Sequence, residues 1–172
     1  MQEVRILGTG QLLELQKRLR RAGHENLRAS MQRRIRRAAE PLRSDLQDTI
    51  RGLDIRSQAR AAGKRGGRSP TNRPLRATIA DAIRISVRTA GDPGARVWID
   101  KGRLPPDLKK MPKVINEGPP AGRIRHPVFG NKKRWANQYV QPYWWDQTVR
   151  SHTDRMTREV ARVVDDVRRR IE

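Results

Sequence analysis

Seven aromatic side chains serve the whole of this 172-residue chain, and six of them fall between Phe129 and Trp145; only Trp98 lies elsewhere. Buried rings each remove about 150–250 Å² from water. In a chain that is 35% hydrophobic and 33% charged, the stretch that holds them is where a fold has to be pinned together. The length suffices for one ordinary domain and falls short of two well-cored ones. The expectation is therefore a single domain spanning 1–172.

Apolar spacing sets out the elements. Val4-Arg5-Ile6-Leu7 before Gly8-Thr9-Gly10 reads as a short strand ending in a turn. Leu12, Leu15 and Leu19 then recur as on a helix that Gly23 would stop. Leu27, Met31, Ile35, Ala38, Leu42, Leu46, Thr49 and Leu53 step by three or four residues, which predicts a long helix with one apolar face. Its other face is basic, with Arg28, Arg33, Arg34, Arg36, Arg37 and Arg43, and Pro41 is expected to kink or divide it. Leu75 to Ala82 reads as a short helix. Ile83-Arg84-Ile85-Ser86-Val87-Arg88 and Ala95-Arg96-Val97-Trp98-Ile99-Asp100 alternate across the turn Gly91-Asp92-Pro93-Gly94, as a half-buried hairpin does. Residues 101–141 read as a proline-rich extended segment, to which Lys113–Gly118 and Ile124–Phe129 could add short strands. After Pro142, a good first-turn residue, Trp145, Val149, His152, Met156, Val160, Val163, Val167 and Ile171 predict a helix of about seven turns, about 40 Å long. The sum is an α+β fold: a small antiparallel sheet packed with N-terminal helices and a long C-terminal helix, with extended loops.

Charge bounds the partners. Lys and Arg number 39 against 18 Asp and Glu, a formal +21. A compact chain with that excess repels itself, so nucleic acid, an acidic protein or an anionic surface is expected nearby. Arginine outnumbers lysine, which suits bidentate contacts to phosphate or carboxylate. Between Arg56 and Arg76 the cations Arg56, Arg60, Lys64, Arg65, Arg68 and Arg73 run without an acid, among Gly63, Gly66, Gly67, Pro70 and Pro74. This reads as a flexible basic loop, 56–76, whose cations are candidates for contact with DNA or an acidic partner. Gly63-Lys64-Arg65-Gly66-Gly67-Arg68-Ser69 lacks the spacing of a P-loop. A polycation that neutralises phosphates and a solvated tether remain the two readings of it. With no cysteine there is neither a disulfide framework nor a thiolate metal site. Glu3 and Arg5 flank too short an apolar stretch for a secretory leader, and no apolar run approaches the ~20 residues that span a bilayer. A soluble chain made in the cytosol, with no membrane partner, is expected.

Catalytic sets are missing. His24, His126 and His152 are scattered without carboxylates at ligand spacing, and a zinc or hydrolase site needs several converging groups. His152 falls on the apolar face of the last helix and reads as a core residue. His126 precedes a proline and reads as shaping a turn or bonding backbone. Asp45 with Asp48, and Asp165 with Asp166, sit among arginines at helical spacing, where ion pairs within one helix account for them. No enzyme and no cofactor are expected. The rings allow two uses: stacking on unpaired bases beside Lys132, Lys133 and Arg134, or burial that anchors the last helix. So short a supply of large residues favours burial, with some rings shared with a neighbouring subunit.

Arg125-His126-Pro127-Val128-Phe129-Gly130-Asn131, then Trp135, then Gln141-Pro142 and Trp144-Trp145 entering a terminal helix, resembles the head–tail joining proteins of long-tailed bacteriophages. These are variously neck, tail-completion or minor tail-component proteins, and the stretch looks most like versions from phages of actinobacteria. The order of elements agrees over most of the chain, including Leu75, Arg76 and Ile79, while the residue-level match is confined to about 123–145; Leu104–Pro120 matches no pattern. The resemblance implies a non-enzymatic virion subunit in a hexameric ring, assembled in the host cytoplasm between portal-side and tail-tube-side proteins, with genomic DNA in its lumen. His126, Pro127, Phe129, Trp135, Tyr143, Trp144 and Trp145 then form a core or subunit-interface motif. The competing reading, from charge alone, is a free cytoplasmic protein that binds nucleic acid without regard to sequence.

Overall fold

The computed structural model describes residues 3–7, 14, 17, 25–57, 74–88, 94–117, 122–128 and 131–169. In chain order these give β1 (Glu3–Leu7), α1 (Glu25–Gly52), β2 (Ile55–Ser57), α2 (Leu75–Asp81), β3 (Ile83–Arg88), β4 (Gly94–Ile99), α3 (Met111–Glu117), β5 (Arg123–Val128), β6 (Asn131–Val140) and α4 (Trp144–Arg168). A 3-10 turn, Lys101–Arg103, precedes α3. The fold is α+β, with the two long helices α1 and α4 packed together. Of the helix expected around Leu12, Leu15 and Leu19, only Glu14 and Lys17 are described, and both are helical.

The buried face of α1 is Met31, Ile35, Ala39, Leu42, Leu46 and Ile50, continuing to Leu53 just beyond it. These steps average about 3.67 residues, close to the helical period. Ala39 and Ile50 hold the places that the sequence reading gives to Ala38 and Thr49, both of which are only half-buried. Pro41 does not divide the helix. It costs one backbone hydrogen bond, about 3 kcal/mol with its steric effect, but Ala39 and Leu42 on either side are fully buried and hold both halves to one core. The matching face of α4 is Trp145, His152, Met156, Val160, Val163 and Val167, with Trp144 and Val164 beside it. At 25 residues the helix is about 38 Å long.

The long helices run antiparallel. Thr49 meets Thr148, and the Nε2 of His152 lies 2.6 Å from Asp45 Oδ2. Further along, Arg34 pairs with Asp166. Asp45 and Asp166 therefore bridge two helices, where the sequence reading confines them to pairs within one; Asp48 does pair with Arg51 three residues on. His152 is buried, as expected of a core residue.

Among the described residues, two three-stranded antiparallel sheets take the place of the one expected. In the first, ordered β1-β4-β3, the hairpin register sets Ile83, Ile85 and Val87 opposite Ile99, Val97 and Ala95, the apolar face that alternation predicts. The second, ordered β2-β6-β5, comes largely from the segment read as extended. Lys113–Gly118 does not supply a strand: 111–117 is helical, and Pro112, Ile115 and Asn116 are buried at helical spacing. Proline in a first turn agrees with that and not with a sheet interior. β6 escapes the reading because its inward residues, Ala136, Gln138 and Val140, do not alternate as an apolar face should. His126 lies within β5, its backbone paired with that of Ala136, and not in a turn.

Gly122 starts this hairpin. Its φ is +85°, and a Cβ there would lie 2.4 Å from the Val140 carbonyl oxygen, which belongs to the residue whose N–H donates to the Gly122 carbonyl at 2.7 Å. Gly122→Ala should lower the unfolding free energy by about 2 kcal/mol, measured by urea titration. An unchanged midpoint would show that this backbone does not hold its left-handed turn.

Candidate interaction surface

The aromatic stretch is positioned by a clasp at its end. Tyr143 is the N-cap of α4, yet its side chain caps nothing and its backbone is left-handed, φ 59° and ψ 27°. The helix therefore starts at Trp144, two residues after Pro142, and not in a turn that contains the proline. Capping comes instead from α3. The Asn116 side-chain oxygen accepts from the Trp145 N–H at 3.0 Å, its Nδ2 donates to Asp146 at 2.7 Å, and its carbonyl accepts from the Tyr143 N–H at 2.9 Å. A side chain from another helix thus satisfies a first-turn donor that would otherwise be orphaned.

This start divides the rings. Trp144 and Trp145 are 2% and 3% exposed and pack edge to face, centroids 5.7 Å apart. Both belong to the core cluster that α1, the sheets and α4 share. Trp135, Tyr139 and Tyr143 are 48%, 44% and 47% exposed. The expected burial thus holds for two rings and fails for three. Trp135 and Tyr139 stand on the strand face that turns away from the core, and Tyr143 stands at the left-handed turn.

Strand register explains the outward face. Directly paired residues of antiparallel strands project to the same side. Arg56 and Arg123 both pair with Tyr139, Arg125 pairs with Asn137, and Pro127 pairs with Trp135. The opposite side carries Ile124 and Val140, both buried, and half-buried Ile55. One side of this sheet is core, and the other shows rings among cations. Arg125 lies over the Trp135 ring, 4.7 Å from its centroid, and Arg123 donates to Asn137 Oδ1 at 3.1 and 3.3 Å. The Trp135 indole N–H is held by the Lys132 carbonyl at 2.8 Å. The first sheet repeats the pairing, with Arg96 4.9 Å from the Trp98 centroid, but there Glu3 answers the guanidinium.

Of the loop's candidate contact cations only Arg56 is described; Arg76, at the loop's far end, is in α2 and donates to the Leu53 carbonyl at 2.6 Å. Arg56 lies on β2, exposed, and is paired with Asp54 at 2.5 Å. That hydrogen bond, with the charge of the carboxylate behind it, raises the Arg56 guanidinium above its ordinary value. Arg60, Lys64, Arg65, Arg68 and Arg73 lie outside the described residues, as does Phe129. The backbones of His126 and Pro127 are in β5. Sequence reasoning missed Tyr139, Arg123, Arg125 and Asn116. The first three were legible had the alternation Trp135, Asn137, Tyr139 been taken as a strand with a polar outward face. Asn116 gave no local signal.

No family model matches the chain, and no curated protein or solved structure shows significant similarity to it. Among the described residues, no three or more His, Asp or Glu side chains come together as a metal ion would require, and no helix is long and apolar enough to cross a membrane. A cleft of about 350 Å³ between α1 and α4 is walled by Arg34, Arg37, Pro41, Arg155, Arg162 and Asp166, with Glu159 beside them. Asp166 and Glu159 there engage Arg34 and Arg162.

Proposed function

We propose that this chain is a structural protein of the head–tail junction of a long-tailed bacteriophage, one subunit of a ring joining the portal side to the tail-tube side around the DNA channel. The carrying observation is that the described residues bearing the resemblance fold as one unit. From Arg125 through Trp135 to Trp145 they make the β5–β6 hairpin, the left-handed turn at Tyr143 and the first turn of α4. That unit drives two rings into the core and leaves three half-exposed on its outside. Half-exposed Tyr143, at the left-handed turn, is a residue type that subunit interfaces favour. The basic outer faces of α1 and α4, with Arg33, Arg36, Arg37, Arg150, Arg155 and Arg158 exposed, supply the positive field expected around DNA or against acidic neighbours.

The test is made on intact particles. Mass spectrometry should find the chain in purified virions, and imaging should place a closed ring of copies between capsid and tail. A chain that stays monomeric at every concentration and is missing from particles would falsify the reading.

A further inference from the structure

The outward face of the second sheet has a chemistry that a structural ring subunit does not require. Six positions on it, Arg56, Arg123, Arg125, Trp135, Asn137 and Tyr139, include three cations and two rings, and Asp54 beside them engages Arg56. We propose that this face binds single-stranded nucleic acid, with Trp135 and Tyr139 stacking on unpaired bases while Arg123 and Arg125 meet the phosphates.

Placement supports it. Trp135 and Tyr139 are four residues apart on one strand, about 13 Å, on the side of the sheet opposite the core. Tyr139 is flanked across the sheet by Arg56 and Arg123, and Arg125 lies against the Trp135 ring. Each ring is therefore within reach of a guanidinium, the combination that accepts a base on a π-face and its phosphate on a cation. Strands, and the hydrogen bond from the Trp135 indole to Lys132, fix the rings before any ligand arrives. Stacking of this kind is tolerant of sequence, since every base has a π-face.

Charge argues against a second copy of the chain as the occupant. This face is cationic, and a copy would have to meet it with an acidic one. Of the exposed carboxylates among the described residues, Asp48 and Asp81 are engaged by Arg51 and Glu117 by Lys113. Asp107 stands near Lys109 and Lys110, and Asp154 and Asp165 stand among the exposed arginines of α4, so none of them makes an acidic face. A polyanion with aromatic bases matches both halves of the face. The proposal depends on neither an assembled ring nor a free cytoplasmic role, so particle composition and oligonucleotide binding decide separate questions.

Fluorescence anisotropy of the full-length protein with labelled oligo(dT), oligo(rU) and a duplex, each over a range of salt, tests it. The single strands should bind more tightly than the duplex, and the ratio of the first two reports which sugar is preferred. Trp135→Ala and Tyr139→Ala should each weaken single-strand binding roughly 5- to 100-fold, while Trp135→Phe and Tyr139→Phe, which keep a ring, retain most of it. Changing Arg123 and Arg125 together to alanine should flatten the salt slope by about 0.7 for each phosphate no longer neutralised. Equal affinity for duplex and single strands, unmoved by either ring-to-alanine change, would overturn the proposal. So would a Trp135→Ala protein that loses self-association but keeps its oligonucleotide affinity. Melting curves of both alanine variants check that the fold survives, and the phenylalanine variants carry the same test if it does not.

Discussion

Replacing Trp144 by alanine should lower the unfolding free energy by about 3–5 kcal/mol. Trp144 is the largest of the fully buried side chains among the described residues, whose other core members are mostly Ile, Leu, Val and Ala. Trp145 is itself packed into the core and the other core residues are mostly smaller, so most of the cavity cost is retained. The substitution also removes the edge-to-face packing on Trp145, about 0.5–1.5 kcal/mol of the total. Phenylalanine is the informative control. The indole Nε1 of Trp144 is buried without a hydrogen-bond partner among the described residues, a standing cost of about 1–3 kcal/mol that phenylalanine removes while keeping a ring. Trp144→Phe should therefore fall well short of the alanine loss. Trp135→Ala, by contrast, removes a half-exposed ring and its stacking with Arg125, worth about 0.5–1 kcal/mol. Urea titrations of the three variants should separate them in that order. A Trp144→Ala protein that unfolds like the wild type would show that this ring does not pin the core.

The contrast between those rings is also where sequence reading stopped. Period separates a helix or a half-buried strand from everything else. It found the long helices and the Ile83–Ile99 hairpin because each has one apolar face against one core. It could not tell Trp144 from Trp135, nine residues apart, because composition says that rings are concentrated and not which way each points. Direction is decided by pairing. Trp135 points outward because Pro127 is its partner and Val140, on the other parity of β6, is core. The helical turn at Met111–Glu117 was hidden for a different reason. It is one short element among prolines, and its buried Asn116 reads locally as a turn residue, although it is bonded to α4 about thirty residues away. The basic loop was legible as charge alone, and of its candidate cations Arg56 is the one with a described place.

Asn116→Ala should cost about 2–4 kcal/mol, the second large effect. Asn116 is 1% exposed, and its side chain makes two bonds that nothing else supplies among the described residues. Losing the acceptor strands the N–H of buried Trp145, a desolvated donor worth about 1–3 kcal/mol. Losing the donor removes a charge-assisted bond to Asp146, about 1.5–3 kcal/mol at most and less here because Asp146 is exposed and water can replace the partner. Asn116→Asp is not a conservative repair: it keeps an acceptor for Trp145 but sets a second carboxylate against Asp146, so it should lose at least as much. The cap substitution Tyr143→Asn gives the complementary measurement, since asparagine tolerates the left-handed backbone and brings a short polar side chain to a cap position that now has none. In the Asn116→Ala background it should recover part of the loss, because a local cap can then serve the first turn that α3 no longer does. If thermal melts show Asn116→Ala within about 0.5 kcal/mol of wild type, the size of an ordinary surface change, then α4 starts without help from α3. The exposed rings would in that case owe their placement to the β5–β6 hairpin alone.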